Sequence, residues 1–184
     1  MQLKVNRRLR TGHIGYLWKD EIGQSMLLIE TIILCSVFFG LCFSGTGTDE
    51  KNLRNYMSYP DEVQKRIKEI EAYRGKFKET SRFATLLANF LIFTVLFLFL
   101  GIFIREKSFM HNFFSLLILG EALNAFDLII IDLLWWRNTK RIRLTKIPQK
   151  ELYQNPKKHT EAFLRAFVLY FFVALLDGYL LTLF

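Results

Sequence analysis

Glu121, Asn124, Asp127 and Asp132 lie inside GEALNAFDLIIIDLLWW, a stretch otherwise apolar enough to rest in a bilayer. Carboxylates held away from water can take up and release protons, bind a cation or pair with a positive group. Each one at the centre of a membrane costs about 2.5–3.5 kcal/mol on insertion scales, so ionisable groups in spans mark ion or proton paths, substrate sites or paired contacts.

An α-helix turns by about 100° per residue, so with Glu121 at zero, Asn124 lies near −60°, Asp132 near +20° and Asp127 near −120°. Glu121, Asn124 and Asp132 share one flank and Asp127 widens it, while Leu119, Leu123, Ile130 and Leu134 are left to face lipid. Along the axis Glu121 and Asp132 are about 16 Å apart, half the hydrocarbon thickness. Asp132, next to Trp135, Trp136 and Arg137, belongs near an interface, where indoles anchor helix ends. Glu121 and Asn124 belong deeper.

Three other apolar stretches supply one polar group each: Glu30, Asn89, and Asp177 in LLDGYLL, the last near the middle of its segment. A purely structural account has Glu30 and Asp132 reaching headgroup water and Asn124 bonding Asn89 between helices. It explains Glu121, Asp127 and Asp177 least well. KKHTEAF adds His159 and Glu161 near the start of the last apolar stretch. Asp132 and His159 flank the same loop and so belong to the same membrane face, which allows an interfacial acid/base or metal site. Against an enzyme stands the absence of H-E-x-x-H, C-x-x-C, G-x-S-x-G and a phosphate loop. No metal and no cofactor is expected, and His13 and His111 read as solvated.

The elements that position these groups are set by hydropathy. The chain has 184 residues, and its 52% of hydrophobic residues are gathered into blocks and not dispersed in amphipathic patterns. Four blocks reach the length a span needs: 26–44, 84–104, 113–136 and 163–184. The expected fold is an all-α integral membrane helical bundle, one membrane domain over 1–184. The first block comes after Lys4, Arg7, Arg8, Arg10 and Lys19, as a signal peptide would, but its apolar core is too long for one, which favours a retained helix. Cys35 and Cys42, two turns apart on one helix, are too distant to join and read as packing residues.

Two long loops separate the blocks. Residues 45–83 are charged and carry YPDEVQKRI, where Pro60, Asp61 and Glu62 suit a helix start. Val63, Ile67 and Ile70 then form a narrow apolar stripe that suits a membrane surface, a partner or the chain's own loops. Gly75 interrupts this helix before the second apolar block. Residues 137–162 form a basic loop broken by Pro148 and Pro156, with a helix expected to begin near Lys157. The two loops, the second counted on to Arg165, hold 18 of the 25 Lys and Arg when both lie on one side, which places them in the cytoplasm. A first block that failed to cross would sharpen that asymmetry, but its length argues for a span. The net charge of +8 does not indicate nucleic acid, because no nucleic-acid motif surrounds RNTKRIRLTK. Arg137, Lys140, Arg141, Arg143 and Lys146 are expected to meet anionic lipid headgroups.

FDLIIIDLLWW with its basic sequel, Pro148, KKHTEAFLRAF and the earlier YPDEVQKRI resembles a group of small, uncharacterised polytopic membrane proteins of bacteria. The likeness is spread over some 120 residues, with the Asp127 to Asp132 spacing as its most specific feature. It implies a bacterial cytoplasmic membrane and no activity.

Three functional classes remain. A small transporter or ion-pathway component, as a homo-oligomer if four helices enclose too little space, would use Glu121, Asp127 and Asp177 on a cation, a proton or a cationic solute. A non-catalytic subunit would bind a membrane partner or lipids. An interfacial enzyme would need Asp132 and His159 within reach of one metal or water.

Overall fold

The computed structural model describes the backbone of residues 2–183 and the side chains of residues 23–183. His13 and the basic residues Lys4 to Lys19 lie outside the described side chains. Helix α1 (Gln2–Ser44) leads to α2 (Asp49–Arg54), α3 (Asp61–Glu69), α4 (Arg82–Ile104), α5 (Phe109–Phe126) and α6 (Lys157–Leu180). Among the described residues there is no strand beyond an isolated bridge between Leu144 and Ile147. The chain is an all-α bundle with four helices long and apolar enough to cross a membrane, the first being Gly23–Ser44 of α1. At 22 residues that stretch is about 33 Å long, which matches the hydrocarbon thickness without a re-entrant turn.

The bundle turns its apolar surface outward. Leu28, Ile32, Leu91, Val95, Ile118, Leu134, Phe167 and Leu183 are among its exposed large side chains. A water-soluble bundle would bury these; a lipid-facing one has no reason to. Close helix contact is made instead at small residues. A Cβ on Gly120 would stand 2.9 Å from Tyr170 Cγ, one on Gly178 3.0 Å from the Phe113 backbone, and one on Gly101 2.5 Å from Leu181. Leu119 and Leu123, expected to face lipid, are instead buried, and with Leu116, Val173 and Ala174 they fill the space between these contacts.

Two boundaries differ from the hydropathy reading. The third span begins at Phe109, four residues before the expected Phe113, because Ser108 caps α5 by accepting from the His111 N–H at 3.4 Å. The helix of the fourth span begins at Lys157, as expected after Pro156, but ends at Leu180, four residues before the expected end of the span. Asp177 is therefore near its far end and not at its middle.

The third span also changes winding. After Phe126 the helix continues as a π-helix over Asp127–Trp136, and the Arg137 N–H closes it by donating to the Asp132 carbonyl at 3.4 Å. Hydropathy cannot register this, since both windings present an apolar surface.

With four crossings the two long loops emerge on one face, and there they fold together into a cap. Val63 and Ile67 of α3 are buried with Leu53, Tyr56, Tyr59, Tyr73, Ile142, Leu144, Ile147 and Tyr153, and Trp136 joins them from below. The stripe on α3 is thus spent within the chain and is not left for a membrane surface or a partner. The helix ends at Glu69, six residues before the Gly75 expected to interrupt it, and Gly75 takes a φ of 75° after the further turn Glu71–Tyr73. Gly47 has a φ of 106°, and a Cβ there would stand 2.8 Å from Arg141 Nη2.

Candidate functional site

The π-helix decides which polar groups meet. In an α-helix Asp127 and Asp132 would be about 140° apart. With hydrogen bonds from residue i+5 back to residue i, a turn takes about 4.4 residues, and residues five apart close to within about 50°. Asp127 and Asp132 consequently share a flank, close enough for their charges to act on one another and for Asp127 to feel His159. Cys42, near the end of α1, lies within electrostatic reach of both aspartates.

His159 comes to this flank from the first turn of α6. Its Nδ1–H donates to Asp132 Oδ1 at 2.8 Å, and both side chains are buried. The Trp136 indole stands edge-on to the imidazole, with ring centres 5.8 Å apart. Held this way, the imidazole keeps Nε2 for other work, and Nε2 is buried with no partner. A carboxylate that fixes one nitrogen of a histidine while the other is free is the arrangement used to hold or move a proton.

Deeper in the bundle, Asn124 donates through Nδ2 to Glu121 Oε2 and to the Phe163 carbonyl, both at 3.2 Å. Glu121 Oε1 is left without a partner. Tyr170 lies over the same flank of α5, and both Asp127 and Glu121 act electrostatically on its hydroxyl. Along the third span from the cap inward the order is Asp132 with His159, then Asp127, then Asn124, then Glu121, and the base of the Tyr170 ring packs at the level of Gly120.

The remaining expected residues are placed elsewhere. Asn89 is exposed on α4, so the anticipated bond with Asn124 is not formed. Glu30 does not reach headgroup water: it is buried on α1, and neither of its oxygens has a hydrogen-bond partner among the described residues. Asp177 is fully buried, and neither of its oxygens has a hydrogen-bond partner among the described residues. Its neighbour Gly178 touches Phe113, eight residues before Glu121, which sets Asp177 about 12 Å from Glu121 along the axis. Glu121 and Asp177 thus do not form one site. No group of three His, Cys, Asp or Glu suited to a metal occurs among the described residues.

Of the basic residues assigned to lipid headgroups, Lys140 and Lys146 are exposed and Arg137 and Arg143 are half-buried. Arg141 has another role. Its guanidinium stands 3.9 Å from the centre of the Phe43 ring and donates to the carbonyls of Phe43 and Thr46 at 3.2 and 3.1 Å. It therefore caps the end of α1 and ties the second long loop to it. An open groove between α3 and Lys146–Ile147 is lined by Glu62, Lys65, Arg66 and Glu69. Arg66 and Glu62 already pair across 3.5 Å, and no orphaned buried group points into this groove.

The gathering of Cys42 and Tyr170 with the aspartates has no motif that announces it. Gly120 is the one sequence signal for Tyr170, since a missing side chain in an apolar span marks where a large one enters. No family model matches this chain, and neither the curated proteins nor the solved structures contain a match.

Proposed function

We propose that this chain is a small transport or ion-pathway component of a membrane, working through carboxylates of its third span. The observation that carries this reading is the buried Asp132–His159 pair, with Asp127 wound onto the same flank and Nε2 left free. It forms the mouth of a polar seam that continues to Glu121. Groups that only stabilised the bundle would be satisfied; here Glu30, Glu121 and Asp177 retain oxygens with no hydrogen-bond partner among the described residues.

The seam is not an open pore. Between Glu121 and Asp177 the helices are filled by Leu116, Leu119, Val173 and Ala174, all buried. Passage beyond Glu121 therefore requires the helices to move, as in a carrier or a gated path. The membrane concerned, on the resemblance carried by FDLIIIDLLWW and KKHTEAFLRAF, is the bacterial cytoplasmic membrane, and Lys140 and Lys146 meet its headgroups at the cap's edge.

The test is flux in liposomes that enclose a pH-sensitive dye, with separate tracer measurements for sodium and potassium. Asp127→Asn lowers the flux at least about tenfold while assembly in detergent is unchanged. Native flux in that variant, or none in the native protein, would sink the proposal. A second reading, an interfacial enzyme with His159 as general base, is favoured by the free Nε2; it requires turnover that survives Glu121→Gln, because Glu121 is too deep to serve a reaction at the cap.

A further inference from the structure

We infer that the ion moved along this seam is the proton, and that the Tyr170 hydroxyl carries it between Asp127 and Glu121. The inference rests on the path proposed above and names its substrate and a further working residue.

The geometry starts at Gly120. Asn124 and Asp127 are four and seven residues beyond it, so all three lie within about 60° of one another on α5. The Tyr170 ring is laid against this flank at Gly120, where a Cβ would come within 2.9 Å of its Cγ. Phe97 stacks on the ring at 5.6 Å between centres, and Phe93 meets it edge-on at 4.9 Å. Gripped on these sides, the ring has one direction left. Helical aromatic side chains point toward the start of their own helix. For α6 that start is at the cap, so from the level of Gly120 the hydroxyl is directed toward Asp127, and both Asp127 and Glu121 act on it electrostatically.

The chemistry of this gap suits a proton and no larger cation. Hard metal cations take about six oxygen ligands. Between Asp127 and Glu121 the seam provides two carboxyl groups, one phenol and the Asn124 amide, whose nitrogen is spent on Glu121 and Phe163. The backbone carbonyls there are engaged in helix hydrogen bonds. A phenol both donates and accepts, so it can pass a proton without changing its own charge. Protonated Asp127 gives its proton to the phenolic oxygen as the phenolic O–H gives its own to the Glu121 carboxylate. Asp127 is left as carboxylate, Glu121 as carboxylic acid and Tyr170 as phenol, and one proton has moved inward.

The experiment compares the native protein, Tyr170→Phe and Asp127→Asn in the same liposomes. Phe keeps the ring packing and removes only the hydroxyl, so the melting temperature in detergent is expected to match the native one while proton flux falls at least about tenfold. Replacing Tyr170 by 3-fluorotyrosine, which acidifies the phenol with little change of shape, is expected to shift the pH dependence of the flux; a residue that only packs would leave it in place. Native flux in Tyr170→Phe alongside a dead Asp127→Asn overturns the relay and leaves the path standing. Sodium or potassium flux without proton flux overturns the proton assignment, and a native protein that moves no ion overturns both readings.

Discussion

The cap and the membrane bundle each enclose carboxyl groups, wholly or in part, and treat them in opposite ways. In the cap the Tyr59 hydroxyl donates to the Ile142 carbonyl at 2.6 Å, and Tyr153 donates to the Ile147 carbonyl while accepting from the Leu144 N–H. Asn52 donates to the Arg141 carbonyl at 2.9 Å, and Asp49 accepts from Tyr73, from the Thr145 N–H and from the Thr145 hydroxyl. In the bundle Glu30 and Asp177 have no hydrogen-bond partner for either oxygen among the described residues, and His159 Nε2 and Glu121 Oε1 have none, whereas the unpartnered atoms at the cap are donors only: the Trp136 indole N–H and the Nε of Arg137, Arg141 and Arg143. Because a satisfied network rigidifies while an unsatisfied one is a standing cost, the cap reads as architecture and the bundle's polar groups as the place where stability is given up for chemistry.

The largest test of that contrast is in the cap. Tyr59 is completely buried, edge-on to Tyr153 and against Trp136. Tyr59→Ala removes an aromatic side chain from a packed core and should destabilise the cap by about 3–5 kcal/mol. Hydrogen exchange in detergent would show it as lost protection over residues 45–79 and 137–156, with the apolar helices still protected. Loss of protection throughout the chain would mean that cap and bundle fold as one unit, and the comparison between them would fail.

Asp49 gives a smaller effect with a definite pH dependence. Burial by itself raises its carboxyl, but hydrogen bonds from Thr145 and Tyr73, with Lys146 nearby, outweigh that and hold it below the usual carboxylate range. A group depressed in the folded state adds stability above its unfolded value near 3.9, and that stability is lost as pH falls through the folded value. Asp49→Asn should therefore cost about 1–2 kcal/mol at neutral pH, the partial exposure of the group keeping it low. The difference from the native protein should shrink below about pH 4. A pH-independent difference would assign the loss to geometry and not to charge.

How much of this is legible in the sequence depends on which forces act locally. Blocks such as ATLLANFLIFTVLFLFLGIFI announce a span through composition alone, and Pro156 marks the start of the last helix through the geometry of one residue. Asp132 and His159 can be assigned to one face because they flank one loop, but their contact depends on how α6 docks. The position of Asp127 escapes an angular projection, which presupposes α winding, and ten residues of π-helix leave no mark in hydropathy. Asn89 is drawn into the polar set because a lone amide in an apolar run looks inward; it lies about two turns after the start of α4, in a stretch that is exposed throughout. The cap reads as two loops because its core is assembled from single residues far apart in the chain, Leu53 and Tyr59 meeting Ile142 and Leu144.

Asp177 provides the smallest and most discriminating effect. If the bundle's orphaned groups are a cost to folding, removing one charge there should stabilise the protein, the reverse of what Asp49→Asn does in the cap. Asn has the shape of Asp and keeps the packing beside Gly178 and Phe113, while a neutral amide is less expensive than an anion to hold without partners. Asp177→Asn should raise the stability of the bundle by about 1 kcal/mol at pH 8, read as a higher melting temperature in detergent. The gain should fade at lower pH as the native carboxyl takes up its proton and the two side chains become alike in charge. A lower melting temperature at every pH would show that Asp177 has a stabilising partner in the membrane, such as a bound cation or a second copy of the chain, and would move it from the bundle's unsatisfied groups to the satisfied class that the cap exemplifies.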